Sequence, residues 1–171
     1  MRRRPRFLAL IIVPALTLAS CGGVDQRLAE IGIRRARLLS IRDDHGGFHG
    51  DGLTVLQAVL PGGASERERL RTLPGWQSGP LPQGLATRLF GESEGSTHTS
   101  LGGLFGETGL SAKAFKEVVS GSFFYFCDNQ VSGIDRHDAG AFLASNQPSA
   151  NIVLCVVDFS GLQCWYFKLD T

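Results

Sequence analysis

Apolar residues fall along this chain in three patterns, and each predicts a different kind of element. The first is a single run of 13 residues, Phe7 to Ala19, interrupted by Pro14. A helix needs roughly 20 apolar residues to cross a bilayer, so this run is a poor permanent span. The second is short and strand-like: Leu39-Ser40-Ile41-Arg42 alternates with period two. Leu53–Leu60, Ser122–Asp128, Asn151–Asp158 and Gln163–Asp170 are rich in β-branched and aromatic residues. Ile152 to Val157 is apolar on both faces, which predicts a central strand. A turn at Ser160-Gly161 would fold it onto the last strand, with position 157 opposite 164 and 155 opposite 166.

The third pattern is helical and brief. Residues 25–36 carry Leu28 and Ile31 three apart with Asp25 as cap, although Gly32 weakens the stretch. Ser65-Glu66-Arg67-Glu68 has capping-box spacing and predicts a helix through Leu73. Pro82, Leu85, Leu89 and Gly91 mark the start, face and end of another, and a further helix fits 112–120. Between them, 91–111 holds six glycines and no sustained period, which reads as a long irregular loop. No internal repeat is present. These elements predict one α+β domain with a largely antiparallel sheet of about five strands and two or three short helices.

The N-terminal run gains meaning from its flanks. MRRRPR precedes it and Leu18-Ala19-Ser20-Cys21 follows, the order of basic region, apolar core and small-residue cleavage site of a signal peptide. Leu-Ala-Ser-Cys resembles the lipobox of bacterial lipoproteins. The resemblance implies cleavage before Cys21 and a diacylglyceryl group on its sulfur, and two acyl chains hold a protein stably to a membrane. The expected organisation is a signal peptide at 1–20, a lipidated N-terminus and short tether at 21–24, and the α+β domain at 25–171. Its location would be the outer face of the bacterial cytoplasmic membrane.

Removing 20 leader residues from 171 leaves 151, enough for one domain with its own core. Arg2, Arg3, Arg4 and Arg6 leave with the leader, so Lys plus Arg falls from 17 to 13 against 16 acidic residues, a net charge of −3. That balance argues against nucleic acid as a partner. Arg34, Arg35, Arg37 and Arg42 still form a basic patch near the anchor, either a solvated face or a contact for anionic headgroups. Cys127, Cys155 and Cys164 remain, so at most one disulfide can form among them. In the expected hairpin, Cys155 and Cys164 are diagonal neighbours, rather too far apart to bridge without distortion, and all three read as small core residues.

The densest chemistry lies in Arg42–Gly52, RDDHGGFHGDG. Glycines let the backbone turn tightly enough to bring Asp44, His45, His49 and Asp51 together, and imidazole with carboxylate suits zinc. A metal site would use His45, His49 and Asp51 as ligands with Asp44 beside them. Against this, the two histidines lie between strands rather than on a helix, and the same residues make a well-formed hairpin turn. Asp135-Arg136-His137-Asp138 forms a second charged cluster. Asp135 and His137 would complete a shared site if the sheet brings both loops to one end; otherwise they form a solvated loop. Gly91-Glu92-Ser93-Glu94-Gly95 matches the nucleophile elbow, but a helix rather than a buried strand precedes it.

The run 44–52, Phe124-Tyr125-Phe126 leading to Asp135-Arg136-His137, and the closing Trp165–Thr171 together resemble a family of uncharacterised lipoproteins of Gram-positive anaerobes. The resemblance covers most of the chain after the leader and implies a location but no chemistry. The 91–111 loop departs from that family and reads as an insertion. The functional expectation is a membrane-anchored, non-enzymatic binding module for an envelope protein or a small ligand. Its rival is a metal-dependent, zinc-type hydrolase built on the DDHGGFHGD loop.

Overall fold

Strands apolar on both faces demand cover on both faces, and the fold is organised around three of them. The computed structural model describes residues 25–45, 51–92, 101–105, 108–131, 134–145 and 151–170. In chain order the elements are α1 (Gln26–Glu30), β1 (Arg37–Asp43), β2 (Gly52–Val59), α2 (Gly63–Arg71), β3 (Trp76–Ser78), α3 (Gln83–Phe90), β4 (Gly91–Glu92), β5 (Leu101–Gly102), α4 (Ala112–Val119), β6 (Phe123–Asp128), α5 (Ala139–Ala144), β7 (Ile152–Asp158) and β8 (Gln163–Asp170). A 3-10 turn at Ile134–His137 precedes α5. Among the described residues no helix is long and apolar enough to cross a membrane. Cys21 lies outside the described residues.

The domain is α+β, as the pattern predicts, with six strands in one antiparallel sheet rather than five. Their order is β1-β2-β8-β7-β6-β3, and β4 and β5 pair separately. The additional strand is β3, three residues paired with β6 through Trp76 opposite Tyr125. The β7–β8 hairpin has the expected register, Val157 opposite Cys164 and Cys155 opposite Tyr166. Asp158 closes its turn by accepting from the backbone N–H groups of Ser160 and Gly161.

Alternation sorts the strand side chains into two cores. On one face Leu53, Val55, Phe124, Phe126, Ile152, Leu154, Val156, Trp165 and Phe167 pack under α3, α4 and α5. On the other Leu56, Ala58, Phe123, Tyr125, Val153, Val157 and Tyr166 pack under α1 and α2. The glycine-rich segment does not remain outside this scheme. Phe105, whose N–H bonds to the Leu89 carbonyl, is buried and stacks on Phe167, with ring centroids 5.5 Å apart.

The second layer is thin and is fastened by polar bonds. The 25–36 segment leaves the helical path after Glu30, where Gly32 (φ 89°) takes the left-handed conformation. Gly32 N–H bonds to the Ala29 carbonyl and Ile33 N–H to that of Leu28, a Schellman termination. The buried Trp76 indole donates to the Ile31 carbonyl at 2.8 Å, and Arg69 of α2 donates to that of Gly32. The helix α2 begins two residues before Ser65, so Ser65 is not its cap and its hydroxyl donates to the Gly62 carbonyl instead.

Cys127, Cys155 and Cys164 are free thiols and buried. The Sγ atoms of Cys155 and Cys164 lie 3.3 Å apart, in direct contact. That is closer than diagonal placement alone predicts; strand twist shortens one diagonal of an antiparallel pair and lengthens the other.

Leu154, fully buried on a central strand, provides a test of this layering. Leu154→Ala is expected to cost about 2–5 kcal/mol in urea unfolding, whereas Leu38→Ala on the exposed edge should stay within about 0.5 kcal/mol.

Candidate functional site

β2 lies between β1 and β8, so the start of β2 brings the end of β1 beside the end of the chain. Gly52 stands opposite Asp170, and Asp44 N–H bonds to the Leu53 carbonyl at 3.1 Å. A Cβ at Gly52 would meet the His45 Cα at 2.7 Å and the Asp44 carbonyl at 2.8 Å, so only glycine lets the chain pass here. The result places His45 over the corner shared by β1, β2 and β8.

There the imidazole sits between two carboxylates. Nδ1 of His45 contacts Asp43, and Nε2 lies 3.3 Å from Asp170 Oδ2. Asp170 also takes Lys168 at 2.8 Å, while Asp43 accepts from Arg27 at 2.8 Å, and Arg27 lies 3.5 Å from Asp25. Carboxylates and nitrogen-bearing side chains therefore alternate from Asp25 through Arg27, Asp43, His45 and Asp170 to Lys168. The hydrogen bond from His45 holds the Asp43 carboxyl below the usual carboxylate range, partial burial opposes it, and the Arg27 guanidinium helps. This network joins α1 and the edge strand to the C-terminal strand.

The candidate residues divide accordingly. Asp44 pairs with Arg42 at 2.6 Å rather than with His45, and Asp51 is exposed. His49 lies outside the described residues, as does Ser93 of the Gly-x-Ser-x-Gly match. Among the described residues no group of three or more His, Cys, Asp or Glu side chains is placed to hold a metal ion. An aspartate orienting an imidazole is also part of a hydrolytic triad, but here Asp170, rather than a hydroxyl or thiol, faces the second nitrogen. Asp170, Arg27 and Lys168 escape a reading based on sequence proximity, and Asp43, though near in sequence, is selected over Asp44 by alternation along β1. Asp43 is two residues from His45, and Asp170 becomes its neighbour only through β2–β8 pairing.

The second cluster is built separately. His137 Nδ1 lies 2.7 Å from the Phe126 carbonyl, and its ring packs edge-on against Tyr125 at 5.4 Å between centroids. Asp138 is the N-cap of α5, accepting from Gly140 and Ala141 N–H groups at 2.8 and 3.1 Å. The side chain of Asp135 lies outside the described residues. Burial pushes the Tyr125 hydroxyl up to about 12, Cys127 pushes the same way, and Arg136 opposes them. The sheet brings the His45 corner and the His137 turn towards one end, but it does not join them. His45 touches β8 and His137 touches β6, with β7 between, and two strand spacings are about 10 Å. Comparison with known proteins finds no family model, no curated protein and no solved structure that matches the chain.

Because the folded Asp43 carboxyl titrates lower than an unfolded one, its stabilisation is complete above the unfolded value near pH 3.9 and is lost as pH falls through the folded value. Asp43→Asn is expected to lower stability by no more than about 1 kcal/mol at pH 7, since the pair is partly solvated. The gap between variant and parent should close below about pH 4, as read by urea midpoints across pH.

Proposed function

We propose that this chain is a lipoprotein, anchored through acylated Cys21 to the outer face of the bacterial cytoplasmic membrane. Its α+β domain then acts as a non-enzymatic binding or interaction module for an envelope protein or a small ligand. The observation that carries the location is Leu18-Ala19-Ser20-Cys21 behind a basic start and an apolar run, four residues ahead of Asp25. Supporting the module reading, His45 is engaged at both ring nitrogens by carboxylates that belong to a network linking three elements. The rival zinc-type hydrolase, with His45, His49 and Asp51 as ligands and Asp44 alongside, requires His45 to give up one of those carboxylates for a metal ion.

Two measurements test these proposals. Mass spectrometry of the chain purified from membranes of a bacterial host should find Cys21 as the N-terminal residue carrying a diacylglyceryl group. Cys21→Ala should abolish both the cleavage and the modification; a mature N-terminus elsewhere removes the anchor. Elemental analysis of untagged protein should return no stoichiometric transition metal. Near-equimolar zinc that disappears in His45→Ala/His49→Ala would replace the module reading with the hydrolase.

A further inference from the structure

The sheet ends on one side in a strand that nothing among the described residues covers. All seven residues of β1 are exposed. Leu38, Leu39 and Ile41 retain 45%, 44% and 44% of their accessible surface, and the only other large apolar side chain this exposed among the described residues is Val131, at 41%. Apolar side chains scattered singly over a surface are ordinary, but three within four consecutive positions form a strip.

The register shows what borders it. Leu38 stands opposite Ala58 and Ile41 opposite Leu56, on the α1/α2 face, whereas Arg37 opposite Val59 and Arg42 opposite Val55 lie on the other face. Arg34 and Arg35 are exposed just ahead of the strand. Among the described residues neither Arg35 nor Arg37 has an ion-pair partner. The acidic groups at the far end are already matched, Asp43 by Arg27 and His45, and Asp44 by Arg42. An apolar strip with uncompensated arginines at one end therefore stands on a protein whose charge after leader removal is −3.

The position of the anchor selects the occupant. Arg27 bridges Asp25 to Asp43, so the chain enters the domain beside the Asp43 end of β1, the end away from Arg34, Arg35 and Arg37. From Cys21 to Asp25 is four residue steps, at most about 14 Å when fully extended. An acylated Cys21 keeps the Asp43 end of this edge within reach of lipid headgroups, and the arginines draw the other end to the same surface. A partner strand is the other natural occupant of an edge, but the register shifts between Leu38 and Ser40, and such a bulge, flanked by charge, disfavours continued pairing.

We propose that the β1 edge, through Leu38, Leu39 and Ile41 with Arg34, Arg35 and Arg37, lies on an anionic lipid surface. The proposal rests on the acylation of Cys21. The strand would lie at headgroup depth, where water and phosphate satisfy its outward backbone groups; the hydrocarbon interior offers no such partners. Each arginine near an anionic surface adds about fivefold to partitioning, an effect that salt weakens.

The test uses the full acylated chain in vesicles of phosphatidylcholine mixed with phosphatidylglycerol. An environment-sensitive fluorophore is placed on Ser40→Cys in β1 and, in a second sample, on Ser78→Cys in β3 at the opposite edge. Both positions are exposed, while Cys127, Cys155 and Cys164 are buried and remain unlabelled. The expected result is strong quenching of the position-40 label by nitroxide lipids and little at position 78. Quenching should fall in pure phosphatidylcholine, in high salt, in Arg35→Ser/Arg37→Ser, and in Leu38→Ser/Leu39→Ser/Ile41→Ser, all at surface positions that leave both cores intact. Equal, weak quenching at both positions on chains that still sediment with vesicles overturns the docking and leaves the anchor standing. Energy transfer between position-40 labels on separate copies, without lipid quenching, assigns the edge to a second copy and overturns it as well. A chain that does not sediment removes the anchor and the docking together.

Discussion

Burial of β6, β7 and β8 on both faces is the constraint on which the rest of the molecule depends. Antiparallel sheets commonly leave one face to water, and their strands then alternate apolar with polar residues. Here Phe123–Asp128 and Ile152–Val157 are buried at every position, so each face needs its own cover. The helices available are short, from five residues in α1 to nine in α2. On the first face three of them need help from Leu104 and Phe105 of the glycine-rich segment to close over Phe167.

The other face is covered by less material, and polar bonds make up for it. Five residues of helix bury only Leu28, so α1 cannot hold its position by apolar area alone. It is retained because the turn that follows accepts hydrogen bonds from Trp76 and Arg69, and because Arg27 reaches the end of β1. Arg69 is itself steadied by Glu66, whose carboxyl is held below the usual range chiefly by that contact. The His45 corner belongs to the same set of fastenings, continuing the chain of polar contacts to the last strand.

Long periodic strands were legible in the sequence, and the pairing of β7 with β8 was legible to the residue because a short turn leaves little freedom of register. The strand β3 was not legible, since Trp76–Ser78 is too short to show a period and pairs only because β6 presents Tyr125 to it. The helix α5 was hidden by its own cap: Asp138 looked like one member of a charged cluster, whereas its carboxylate serves the backbone. At the candidate site, sequence proximity grouped Asp44 and Asp51 with His45. Alternation along β1 and the β2–β8 register selected Asp43 and Asp170 instead, and the second of these follows from a pairing 125 residues away in sequence. The edge strand was visible as alternation, but its exposure depended on knowing which strands the sheet placed inside.

Cys155 and Cys164 show no accessible surface, and burial raises the Cys155 thiol well above its usual range. The thiolate is the nucleophile that attacks an alkylating reagent, so neither sulfur can react until the layer over their face of β7 and β8 opens. Both lie on the α1/α2 face with Leu28 and Leu70, so the opening that admits a reagent is release of that thin layer from the sheet. Their alkylation rate in native buffer is consequently a clock for the lifting of that layer, set into the centre of the molecule and insensitive to fraying of the edge strand.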